Sequence, residues 1–321
     1  MCEAAIGARP NRMWLRWALF CTATVAAVIV LRDKVPSLAD LAQAASRVHL
    51  GWLVAAAFAE AASLGMFARQ QRRLLRAFGV RMSLPYAMAL TLSRSAITIS
   101  LPAGSAISAA FAFQQFRAKG ASRTVAGAVM VLSGIMSFVG LALLYLVGGA
   151  VSGLVSVCVL AGSTLLAAGA VVLVWRRWHP DPAGRMGRIV QAAHEIAPRH
   201  WALTLIFAIV NWFADLVCLL AVIRAFDITL PVSAVAGTYL AVQIVRQVPL
   251  TPGGIGVIET GLLTGLVSAG ASNASAAAAV LGYRVLSCWL IIPIGLIAWT
   301  ALRRPARSAA GDLPAAEPPA R

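Results

Sequence analysis

The chain has 321 residues, of which 60% are hydrophobic and only 12% charged. A soluble domain carries about 25% charged residues, so water is excluded as the main solvent of this chain. The net charge of +16 does not signal nucleic acid, because its Lys and Arg sit beside apolar runs and not on a groove-reading fold.

Apolar stretches long enough to cross a hydrocarbon slab recur along the chain and predict an all-α polytopic membrane protein. A barrel would instead alternate polarity over segments of about 10 residues, unlike the run TATVAAVIVL. The first span is predicted over 14–31, inside an N-terminal basic segment at 1–49 that holds Arg9, Arg12 and Arg16. No small-residue cleavage site follows it, so it reads as an anchor. A second span at 50–68 leads into RQQRRLLRAFGVR, whose five arginines mark the cytoplasmic side. Apolar stretches at 84–100 and 103–116, joined at LPAG, form a hairpin that opens to the cytoplasm at Arg117, Lys119 and Arg123. Spans at 124–147 and 154–175 then lead out and back to a second basic loop.

From Trp201 the pattern resumes with a span at 201–225, a stretch at 232–250, the tip TPGG, an apolar run at 255–269 and a last span at 276–302. The predicted organisation is therefore a first membrane repeat at 50–148, a connecting span and basic loop at 149–200, and a second repeat at 201–302. The Ala/Pro-rich tail at 303–321 cannot bury a core. Arginine placement puts both termini inside a bacterial cytoplasmic membrane.

Each repeat reads span, broken hairpin, span, with Pro102-Ala103-Gly104 lying 150 positions before Pro252-Gly253-Gly254. The extra span between them reverses direction, which predicts inverted repeats with re-entrant hairpins. In secondary transporters such broken helices meet near the bilayer midplane and form the substrate site. The other reading makes LPAG and TPGG plain loops between full spans; the shortness of 103–116 and 255–269 argues for re-entry.

Ionised groups inside hydrocarbon cost roughly 2.5–3.5 kcal/mol on insertion scales, so they are functional candidates by default. Six are predicted: Glu60, Arg94, Asp215, Arg246, Glu259 and Arg284. Structural pairing is the competing reading, and Arg94 could snorkel to the surface. In VRQVPLTPGGIGVIETG, two prolines break the helix, and Gly253, Gly254 and Gly256 permit a close backbone approach to a ligand. Thr251 belongs to the same tip, and the helix that follows starts with free N–H groups that attract an anion, with Arg246 adding a full charge. Pro102, Gly104, Ser105 and Ser108 form a weaker equivalent, with serine hydroxyls as caps. Glu259 suits that dipole or an arginine partner. Gly261 and Gly265 suit close helix packing, and Asn211 shares a helical face with Asp215. The five cysteines and four histidines show no paired, CxxC or HExxH spacing, so no metal, cofactor or catalytic constellation is predicted.

The segment Pro249-Leu-Thr-Pro-Gly-Gly-Ile-Gly-Val-Ile-Glu259 resembles the P-x-s-P-G-G-x-G-x-x-E signature of the lysylphosphatidylglycerol synthase transmembrane-domain family. Tyr283-Arg284 and Leu101-Pro102-x-Gly104 extend the likeness over about 50 to 302. In multidomain relatives this membrane part flips aminoacylated phospholipid that a soluble synthetase domain has made; here the resemblance implies a stand-alone member without that domain. The first-half Glu and Arg residues of the family pattern are absent, and the corresponding regions read AISAAFAFQQF and VLSGIMSF.

The expected function is therefore a flippase-like translocator of a phospholipid or lipid-linked anionic headgroup, with membrane lipids as partners. Arg246, Thr251, Gly253, Gly254, Gly256, Glu259, Arg284, Arg94, Pro102, Gly104, Asp215 and Glu60 are its expected substrate-binding residues. Competing classes are a non-catalytic envelope-assembly subunit and an intramembrane enzyme on a lipid phosphate with Glu259 or Asp215 as base. A second copy of the chain or an envelope-biosynthesis protein stands open as partner.

Overall fold

The computed structural model describes residues 48–101, 103–152, 196–246 and 254–303, with the single positions 184, 187 and 191. The spans predicted at 14–31 and 154–175, most of the second basic loop and the tail after 303 lie outside them.

All regular elements among the described residues are helical. In chain order they are α1 (Leu50–Ala77), α2 (Leu84–Ser100), α3 (Gly104–Ala118), α4 (Arg123–Ser152), α5 (Pro198–Ala225), α6 (Val232–Arg246), α7 (Val257–Ser268) and α8 (Asn273–Arg284). A one-turn π segment, Val285–Trp289, follows α8 and leads into α9 (Ile291–Arg303). Four helical runs are long and apolar enough to cross a membrane: α1, α4, α5 and the 31-residue run Asn273–Arg303. Between them lie two helical pairs, α2/α3 and α6/α7, whose members have 17, 15, 15 and 12 residues. At 1.5 Å per residue even α2 reaches only about 26 Å, short of a hydrocarbon core of about 30 Å. The order long, short, short, long thus occurs twice.

Local chemistry fixes the boundaries. α1 stops where Gly79 takes φ 78°, and the Val80 N–H reaches back to the Leu75 carbonyl at 2.9 Å, a Schellman closure. α5 stops the same way one repeat later: Asp227 takes φ 56° and Ile228 N–H bonds to the Ile223 carbonyl at 3.1 Å. The sequences at these ends, RAFGV at 76–80 and RAFDI at 224–228, are a repeat that the hydropathy pattern does not reveal. Pro85 and Pro198 stand in the first turns of α2 and α5, where a fixed φ suits the helix and no N–H is needed.

α1 and α5 make the most extensive helix contact and run antiparallel. The His49 N–H, at the start of α1, donates to the Ala225 carbonyl at the end of α5 (2.9 Å). Midway, Ser63 Oγ donates to Asn211 Oδ1 at 3.1 Å, and these two residues are 148 positions apart, the same offset that separates RAFGV from RAFDI (76 to 224). Corresponding points of the two units therefore touch. The outer contacts are reciprocal as well: α9 packs on α2, and α4 packs on α6.

Two apolar cores form, each centred on one unit and completed by residues of the other. Leu74, Leu75, Leu90, Phe116 and Val129 join the end of α1 to α2, α3 and α4. Leu219, Val222, Tyr239, Leu262 and Leu266 join α5, α6 and α7. The surface is also apolar, with Phe58 73% and Ile297 69% exposed, as expected of helices solvated by lipid tails. Ile196, Trp201, Val125 and Leu302 all belong to the first core or pack against it. That gathers the ends bearing Arg69–Arg81, Arg117–Arg123, Arg199 and Arg303 on one face of the molecule.

Candidate functional site

The antiparallel crossing of α1 and α5 leaves a chamber of about 490 Å³ between the two units. Glu60, Ser63, Phe67 and Gln71 of α1 line it, together with Asn211, Trp212 and Asp215 of α5. α2 contributes Thr91, Arg94, Ser95 and Thr98; α3 contributes Ser105 and Ser108; α4 contributes Ser133 and Ser137. Arg246 at the end of α6, Gly254 and Ser287 of the π segment close the remaining wall. A cavity amid apolar helices that presents four charges and many hydroxyls replaces much of what water supplies to a polar solute.

Four of the six predicted intramembrane ions meet in this chamber: Glu60, Arg94, Asp215 and Arg246. Their states differ. Asp215 is saturated: its Oδ2 accepts from Tyr239 Oη at 2.8 Å and Gln243 Nε2 at 3.0 Å, and its Oδ1 accepts from Tyr283 Oη at 2.7 Å. Those donors come from α6 and α8, so one carboxylate ties three helices together. Glu60 is equally buried, but its Oε2 has no hydrogen-bond partner among the described residues. Arg94 leaves Nε and Nη1 without partners while its Cζ stands 5.8 Å from the centre of the Phe67 ring. Buried guanidinium N–H groups without acceptors are costly. Arg246 acts electrostatically on both Glu60 and Asp215.

The other two ions form a pair away from the chamber lining. Arg284 Nε meets Glu259 Oε1 at 2.7 Å, and Glu259 Oε2 accepts from the Gly256 N–H at 2.7 Å. The start of α7 thus already holds an anion, the side chain three residues on, and both expected uses of Glu259 occur at once. Thr251, Gly253 and Pro102 lie outside the described residues. Gly254 lines the chamber at φ 69°, a conformation that L side chains rarely adopt. Gly104 starts α3 where a Cβ would come within 2.5 Å of the Ile97 carbonyl oxygen, so only hydrogen fits there.

One local expectation is corrected. The α3 N-cap is Ala103, at φ 58°, with no side-chain cap. Ser105 and Ser108 line the chamber instead; they are the second and fifth residues of the helix, past the position from which a side chain caps it. Gly261 and Gly265 lie against Val242 and Thr238 of α6, which is a packing role. Asn211 both bonds to Ser63 and lines the chamber.

The sequence reading did not single out Tyr239 and Gln243, nor the hydroxyls of α2 and α4. A signal existed: Thr91, Arg94, Ser95 and Thr98 recur at i, i+3, i+4 and i+7, and Ser133 and Ser137 at i, i+4, which places each set on one helical face.

The family described as lysylphosphatidylglycerol synthase TM region matches residues 13–295. No curated protein matches the chain.

Proposed function

The chain belongs to the lysylphosphatidylglycerol synthase TM region family, and from that membership we propose that it moves a phospholipid or lipid-linked anionic headgroup across the bacterial cytoplasmic membrane. The observation that carries this reading is the chamber between the two units, lined by Arg94 and Glu60, which both carry buried polar atoms without partners. An idealised transfer of a carboxylate-sized ion into a medium of low dielectric costs on the order of 20 kcal/mol. A headgroup passing the midplane therefore needs partners that replace its hydration. Arg94, Arg246 and the hydroxyls of α2 and α3 take an anionic oxygen, and Glu60 takes a cationic or hydroxyl donor. The acyl chains stay in the surrounding lipid.

Two further features support the reading. The antiparallel contact of α1 with α5 and the reciprocal outer contacts favour inverted repeats, the architecture in which two halves alternate access around a fixed site. The gathering of arginine-rich ends on one face favours a single cytoplasmic side. In this reading the protein performs no chemical step, and Asp215 and Glu259 are held by their partners, not used as bases.

The test is reconstitution into liposomes that contain a headgroup-labelled phospholipid, with a membrane-impermeant quencher outside. Wild-type protein is expected to bring the inner-leaflet label to the quencher faster than empty liposomes do. Equal rates with and without protein, across anionic, zwitterionic and aminoacylated headgroups, would overturn the reading.

A further inference from the structure

A second polar concavity, of about 740 Å³, lies at the arginine-rich end of α1, away from the chamber, and is lined by Arg72, Arg76, Gly79, Arg81, Met82 and Ser83. The chain folds it deliberately. Arg72 and Arg76 are one turn apart on α1, the Schellman closure at Gly79 turns the chain back, and the return brings Arg81 to the same opening. Arg72 Nε donates to the Met82 carbonyl at 2.8 Å, which holds its guanidinium against the loop and leaves its two terminal nitrogens outside that bond.

Among the described residues no carboxylate pairs with these arginines. No Asp or Glu occurs between Glu60 and Asp181, and the one ion pair among the described residues is Arg284 with Glu259, elsewhere. Three arginines converging with no carboxylate paired to them among the described residues repel one another, and a bound anion relieves that repulsion. Guanidinium groups match the oxygens of a phosphate in geometry as well as charge. The location selects the source. The concavity opens where an apolar helix of crossing length ends, between Ala77 and the first turn of α2, at the depth where phosphodiesters of the adjoining leaflet lie.

We propose that this concavity binds the phosphate of an anionic phospholipid from that leaflet. It is a site separate from the chamber, and it is occupied whether or not the protein transports lipid. In a bacterial membrane it holds an anionic lipid against the end of α1 and the loop that leads into α2.

The experiment uses the full chain purified into nanodiscs of zwitterionic lipid doped with a phosphatidylglycerol, and native mass spectrometry counts the retained anionic lipids. Wild type is expected to retain at least three times more of the doped lipid than Arg76→Gln/Arg81→Gln. That variant keeps the Arg72 hydrogen bond to the loop and changes only two exposed side chains, so folding is preserved; matching thermal unfolding confirms it. Arg117→Gln/Arg123→Gln, on the same face, is expected to retain as much as wild type. Equal retention in all three proteins would overturn the site. Equal loss in both double variants would reduce it to diffuse surface charge and overturn it as well. A third arm adds millimolar inorganic phosphate: displacement of the lipid by phosphate at that level would overturn the assignment to a lipid, whereas retention supports it.

Discussion

Asp215 and Glu60 are both nearly fully buried carboxylates on the two central helices, yet their surroundings differ. Asp215 receives three hydrogen bonds from Tyr239, Gln243 and Tyr283, and leaving a buried donor unpaired costs roughly 1–3 kcal/mol. Asp215→Leu is therefore expected to lower the thermal unfolding midpoint in detergent sharply, by several degrees, whatever its effect on transport. Glu60→Gln keeps the volume and disturbs fewer bonds, because one of its oxygens has no partner. It is expected to change the midpoint little while slowing lipid movement in liposomes about tenfold, equivalent to about 1.4 kcal/mol. If both variants fail in the same way, the division between a structural and a substrate-facing carboxylate is wrong. That division could not be read in the sequence. Both residues stand alone in apolar runs, and the partners of Asp215 arrive from helices 24 to 68 positions away.

At the scale of elements, the α2/α3 corner is the tightest feature of the first unit. Ala103 occupies the left-handed region at φ 58°, where an L residue is disfavoured by roughly 1–2 kcal/mol, while Gly104 packs against the last turn of α2. Ala103→Gly is expected to raise the unfolding midpoint slightly, whereas Gly104→Val has to part α2 from α3 and is expected to abolish monodisperse expression. Size-exclusion profiles and thermal unfolding read both. The hairpins themselves were legible, because LPAG and the short apolar stretches around it leave few alternatives. That Ser105 and Ser108 line the chamber was not, because helices of both units complete the wall they join; nor was the left-handed turn at Ala103, since alanine gives no warning of one. An arginine partner for Glu259 was expected from the sequence, but that it is Arg284 depends on how α7 meets α8.

Across the whole molecule, the antiparallel fit of α1 to α5 places equivalent closures, at Gly79 and at Asp227, at opposite ends of the central pair. Residues beside them are then expected on opposite sides of the membrane. Arg81→Cys and Thr229→Cys, each as the sole accessible thiol, should react with an impermeant maleimide from different sides; labelling of both from one side would contradict the inverted arrangement. The succession of long, short, short and long helices was legible in the sequence from the order of apolar stretches; the inverted arrangement is what the labelling tests. The chamber was only partly legible: its ions stand out in apolar context, but the hydroxyls that complete it resemble ordinary helix surface until helices from both units enclose them.

The central claim is that lipid headgroups cross through this chamber. It is tested most directly by plugging it: Ser95→Cys, on the chamber wall, is placed in a chain without other cysteines, reconstituted, and treated with a bulky charged thiol reagent. Lipid movement is expected to fall to the rate of protein-free liposomes after modification of Ser95→Cys and to stay unchanged after the same treatment of Arg123→Cys at the exposed start of α4. Undiminished movement with Ser95→Cys fully modified would contradict a path through the chamber.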